Sequence, residues 1–150
     1  MNTRTIAWVG AAVLVSAAVT ALGQMKPEDS IKYRQSAMFL VGTNFGTLAA
    51  MVQGKRPYDK DTAIKCANIV AFVSKLPLDG FVPGTDQGNT KAKPEIWLDM
   101  DDFKAKMEKM QEETAKLAEV AQQGDFEALK AQVGATGKSC KACHDKYRNK

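Results

Sequence analysis

The feature that constrains this chain most lies near its C-terminal end, in the run Ser139-Cys140-Lys141-Ala142-Cys143-His144-Asp145. Two cysteines separated by two residues and followed at once by histidine form the C-x-x-C-H pattern of covalent c-type haem attachment. The spacing follows from the chemistry. Two thiols add across the two vinyl groups of one macrocycle, and a two-residue gap on a helix sets the sulfurs about that far apart. The next side chain then offers a neutral imidazole to the iron. His144 is the only histidine of the chain. With no second Cys-x-x-Cys and no second histidine, a four-ligand zinc site has no donors to draw on. A redox dithiol would belong after the first strand of a βαβ unit, and this motif sits at the end of a helical chain.

At the other end, Arg4 is followed by an uncharged apolar run from Ile6 to Leu22, then by the small-x-small sequence Ala21-Leu22-Gly23. Residues 1–23 are therefore expected to be a secretory signal peptide, cleaved before Gln24, with the mature domain spanning 24–150 and lying in the periplasm. The competing reading is a membrane anchor, but the run is short and no basic stop-transfer cluster follows it. Removing Arg4 leaves 20 of the 21 basic residues against 17 acidic ones, a net charge of +3. That is too mild to argue for nucleic acid, and no membrane association is expected after cleavage.

The rest reads as helices. Pro27-Glu28-Asp29 opens the first, with Ile31, Met38, Val41, Phe45, Leu48 and Met51 as its apolar face and Gly54 and Pro57 as its end. The second starts after Asp59 or Asp61, carries Ile64, Ala67, Val70, Phe72, Val73 and Leu76 inward, and stops at Pro77. A long connection from Leu78 to Lys93 leads through a short turn at Pro94-Glu95-Ile96-Trp97 to a third helix, roughly Asp101 to Gln123. Its inner stripe is Phe103, Met107, Met110, Leu117 and Val120, with the methionines as core filling. The fourth helix begins at Asp125 as N-cap and runs through Phe126, Leu129 and Val133 into the motif. Cys66 reads as a small buried residue. The expected fold is all-α, an antiparallel up-down-up-down four-helix bundle with one covalent haem c.

Lys26-Pro27-Glu28-Asp29, Lys32-Tyr33-Arg34-Gln35-Ser36-Ala37-Met38, Pro94-Glu95-Ile96-Trp97 and Cys140-Lys141-Ala142-Cys143-His144 with Tyr147 and Arg148 together resemble cytochrome c′, the class II c-type cytochromes. The resemblance implies one haem inside the bundle, bonded through Cys140 and Cys143, with His144 as the only protein ligand to iron. It places Met38, Leu78 and Phe81 on the opposite, distal side, Arg34 and Gln35 at a haem propionate, and Arg148 beside the proximal pocket. It also implies a homodimer with crossed first helices, and Phe39, Leu40, Ala49 and Val52 extend the apolar arc of that helix. Tyr33 and Tyr147 read as packing residues with wet hydroxyls, Trp97 as a core or haem-edge anchor. Lys141, Lys146 and Lys150 read as a solvated face, with steering of an acidic redox partner protein as the alternative.

Three functions compete on this sequence. In the first, the iron is five-coordinate and high-spin, binds nitric oxide or carbon monoxide at a crowded distal face, and takes part in electron transfer. In the second, Met38 ligates the iron and the protein is a low-spin electron carrier, since a thioether ligand raises the potential and blocks gas binding. The third, a haem peroxidase, lacks a distal acid-base histidine, so no catalytic residue is assigned.

Overall fold

The structure, a computed structural model, describes residues 25–150. The expected signal peptide and its cleavage site before Gln24 lie outside the described residues. Four long helices, α1 (Pro27–Val52), α2 (Lys60–Val73), α4 (Met100–Gln123) and α5 (Phe126–Tyr147), pack as an antiparallel bundle. A single turn, α3 (Glu95–Leu98), precedes α4, and a 3-10 turn at Pro77–Gly80 follows α2. No helix among the described residues is long and apolar enough to cross a membrane.

The helix ends are written in the sequence. Pro27 stands in the first turn of α1 with Glu28 and Asp29 beside it, where a missing N–H costs nothing and acids meet the positive end of the dipole. At its other end Gly54 adopts φ 69°, which lets the Lys55 N–H reach the Ala50 carbonyl at 2.9 Å and the Gly54 N–H the Met51 carbonyl at 3.1 Å. That pair of bonds closes the helix as a Schellman motif. Asp59 caps α2 by accepting from the Thr62 N–H at 2.8 Å, and Asp125 caps α5 by accepting from the Ala128 N–H at 3.0 Å.

The core divides in two. Leu48, Ala63, Ala67, Val70 and Leu117, all at 0 % exposure, anchor a closed cluster to which all four long helices contribute. Cys66 belongs to it, buried as expected. A second cluster joins Ile96, Phe103, Met107, Met110 and Tyr147, and α2 supplies none of it. With 14 residues, α2 is much shorter than α1, α4 and α5, at 26, 24 and 22 residues. Where it stops, the connection to α4 takes over as the wall.

Two expectations for α2 are corrected. Phe72 points outward at 69 % exposure, because it lies two residues from Val70 and so on the opposite side of the helix. Leu76 is beyond the helix, which ends at Val73, and packs against the closed cluster from the following turn.

Candidate haem site

Between α1, α4, α5 and the connection lies a cavity of about 520 Å³, within the range of cofactor sites. α5 brings Cys140, Cys143 and His144 to it, one turn apart. α1 contributes Arg34, Gln35 and Met38, a turn apart on one face, and α4 adds Phe103, Met107 and Met110. The methionines expected as core filling therefore have a second role as cavity wall.

Burial pushes Cys143 up to about 11 and raises Cys140 as well, whereas reactive dithiols hold one thiol low. His144 is pulled below its ordinary value, first by desolvation and then by the Arg148 cation, with Asp145 opposing. Both effects favour the neutral imidazole that a metal requires.

Arg34 is buried, and its guanidinium is fixed by the connection. Nη1 donates to the Gly80 carbonyl at 2.7 Å and the Thr85 hydroxyl at 2.6 Å, and Nη2 to the Thr85 carbonyl at 2.6 Å and the Thr90 hydroxyl at 2.9 Å. Gly80 permits this approach: a Cβ there would sit 2.7 Å from the Ser30 carbonyl and 2.8 Å from the Arg34 Cβ. The guanidinium also stacks over Phe81, 4.6 Å from its centroid. Phe81 meets Phe103 at 4.7 Å and Phe103 meets Tyr147 at 5.3 Å, an aromatic ladder from the connection to α5. Gln35 donates to the Asn89 carbonyl at 2.8 Å, a second tie between α1 and the same segment.

Phe81 and Met38 line the cavity, while Leu78 does not and packs in the cluster behind. Trp97 sits in that cluster too, donating through Nε1 to the Val82 carbonyl at 3.1 Å. The Tyr147 hydroxyl is not simply wet: it donates to Asp102 at 2.6 Å, and Lys146 bridges Asp102 and Asp99 at 2.9 Å each. Lys146 and Lys141 are exposed, as a solvated face would be, and each also has carboxylate partners, Lys141 in Asp145. The α5 terminus is further stitched to the connection by an antiparallel bridge between Ala92 and Arg148, with the Asn149 N–H on the Lys91 carbonyl at 2.8 Å.

The cavity fits a haem. Its lining includes the cations Arg34, Lys91 and Arg148 and not one Asp or Glu, and every bond of the Arg34 Nη groups goes to a neutral acceptor. A buried cation without an anion calls for one, and carboxylates on an otherwise apolar ligand supply it. Lys91 was not among the residues expected here. It lies in no periodic segment, and only the fold of the connection carries it to the cavity.

A four-helix bundle whose last helix opens C-x-x-C-H into an apolar, cation-rimmed cavity is the architecture of a covalent haem protein. The sequence model of the family described as Cytochrome C' matches residues 29–148. Cytochrome c' of Rubrivivax gelatinosus is 48 % identical over 126 residues, covering 83 % of this chain and 98 % of that protein. Cytochrome c prime from Shewanella frigidimarina superposes with a TM-score of 0.83 at 42 % identity, covering 85 % of this chain and all, 100 %, of that one. A nitric oxide complex of a variant of cytochrome c prime from Alcaligenes xylosoxidans superposes with a TM-score of 0.78 at 43 % identity, over 85 % of this chain and 99 % of that one. The chain belongs to the cytochrome c′ family, which carries haem c.

Proposed function

We propose that this protein is an exported, periplasmic cytochrome c′ that binds nitric oxide and carbon monoxide at a five-coordinate, high-spin haem and exchanges electrons with a redox partner protein. The haem supplies an iron centre that changes oxidation state and accepts a diatomic ligand. Cys140 and Cys143 hold the macrocycle, His144 is the protein ligand, Arg34 and Gln35 stand at a propionate with Lys91 as a further cation on that rim, and Arg148 lies beside the proximal pocket. Met38 and Phe81, with Leu78 behind them, crowd the distal side. The observation that carries this reading is the character of that wall. Met38 is half-buried on α1 among apolar neighbours, and the Nη hydrogens of Arg34 are committed to the connection. An incoming diatomic therefore meets bulk and no free guanidinium donor, which favours nitric oxide, a strong binder to ferrous haem, over dioxygen. No enzymatic reaction is proposed. Phe39 and Leu40, 70 % and 47 % exposed on α1, support a homodimer with α1 at its interface.

Met38→Ala tests the reading. The variant is expected to keep a high-spin spectrum and to bind carbon monoxide on the order of tenfold faster or more, the equivalent of about 1.4 kcal/mol of steric barrier removed. Conversion from a low-spin to a high-spin spectrum would instead establish Met38 as the sixth ligand and the protein as a low-spin electron carrier.

A further inference from the structure

Beside the haem cavity, and sharing two residues with it, is a second, surface-open crevice of about 400 Å³ formed by Lys93, His144, Asp145, Arg148, Asn149 and Lys150. His144 and Arg148 line both hollows, so the imidazole that faces the haem site from within also forms part of the crevice wall. The crevice is electrically one-sided. Among the described residues Lys93, Arg148 and Lys150 enter no side-chain ion pair, and the one acidic side chain in the lining, Asp145, is taken by Lys141. Asp99 and Asp102, on the turn before α4 and on α4, are held by Lys146. Glu95, two residues from Lys93, pairs with none of these cations. Elsewhere Lys106 and Lys109 each have a carboxylate on their own helix. The crevice thus gathers unpaired positive charge beside His144 and Arg148, the two residues it shares with the haem cavity.

We infer that this crevice is the docking surface for an acidic one-electron-transfer protein, whose carboxylates seat among Lys93, Arg148 and Lys150 over His144. This rests on the proposed electron exchange and names where it occurs. The reduced partner gives up one electron, the ferric haem protein takes it up as ferrous, and no proton or group is transferred. Cationic rims of this kind raise association rates through steering, and the gain falls as salt screens it. Backbone ties hold the rim in place: the Lys93 N–H donates to the Tyr147 carbonyl at 3.0 Å and the Arg148 N–H to the His144 carbonyl at 3.1 Å.

The test uses the ferric holoprotein and reduced flavodoxin, an acidic flavin-carrying one-electron donor, in stopped flow. Lys93→Glu/Lys150→Glu, and Lys150→Glu alone as the milder variant, are compared with Lys65→Glu at an exposed position of α2. At low ionic strength the double variant is expected to be reduced about tenfold more slowly or worse, with the difference vanishing at high salt. Lys65→Glu and an unchanged haem spectrum serve as controls. Amide shifts of the labelled protein titrated with oxidised flavodoxin, where no electron moves, should map to Lys93, Asn149 and Lys150. A footprint elsewhere, or equal rates for all three variants, overturns the docking surface. Failure of the holoprotein to cycle between ferric and ferrous with small chemical reagents would overturn the electron-transfer reading itself.

Discussion

Around Leu48, Ala63, Ala67, Val70 and Leu117 the four long helices close on one another over small and branched side chains. Around Phe103, Met107 and Tyr147 three helices and a connection stand apart, held open by large ones. The alanines of α2 let backbones approach, so the first region fills itself. In the second, α2 has already ended, and Phe103, Met107 and Met110 on α4 reach inward without meeting a fourth helix. The lesson is that a cavity in a bundle need not be carved out of a core. Here it arises because one helix is short by about two turns or more and its replacement, the connection, is anchored at a distance by Arg34.

The contrast can be broken by truncating one residue on each side. Leu117→Ala in the closed region should cost about 2–5 kcal/mol of stability in denaturant unfolding of the holoprotein. Met107→Ala, which enlarges a space already present, should cost under about 2 kcal/mol and show itself as a shifted haem absorption band. Equal costs at the two sites would mean that both regions are packed alike. A smaller effect is expected at Asp102, held down to about 2 from an ordinary 3.8, first by the Tyr147 hydroxyl and then by Lys146. A carboxylate with a depressed folded value stabilises above its unfolded value and loses that contribution as pH falls toward the folded one. The stability gap between the wild type and Asp102→Asn should therefore be constant above about pH 4 and narrow between pH 4 and 2. A gap that persists unchanged to pH 2 would show that the carboxylate's charge is not what ties α5 to α4. The smallest effect belongs to Phe72→Ser, on the outward side of α2, which should move stability by no more than about 0.5 kcal/mol. A larger loss in a monomeric sample would place Phe72 back in the core.

Much of this is legible in the sequence alone. Asp59, Asp125 and Gly54 act on backbone groups within a few residues of themselves, so helix ends can be read locally. The same holds for Cys140, Cys143 and His144, which are contiguous. Phe72 departs from expectation because an apolar residue two positions from Val70 falls on the other side of the helix, so apolar character alone does not place it in the stripe. Arg34 was legible as a cation facing the site but not as the anchor of the connection. Its acceptors at Gly80, Thr85 and Thr90 lie 46, 51 and 56 residues away and follow no periodic pattern. Lys91 escaped for the same reason. What depends on long-range closure has no local signature.

The stitch between residues 91–93 and 147–149 bears on the order in which the molecule can be made. A chain is synthesised from its N-terminus, so α1, α2 and α4 exist, and can begin to associate through the residues of the closed cluster, while the segment that closes the other end has yet to emerge. The attachment motif at Cys140 to His144 arrives only a few residues ahead of that closing segment. Modification of the thiols and final sealing of the cavity thus belong to the same late moment in the life of the chain. The wall around the macrocycle is completed last, by the residues that follow it in the sequence.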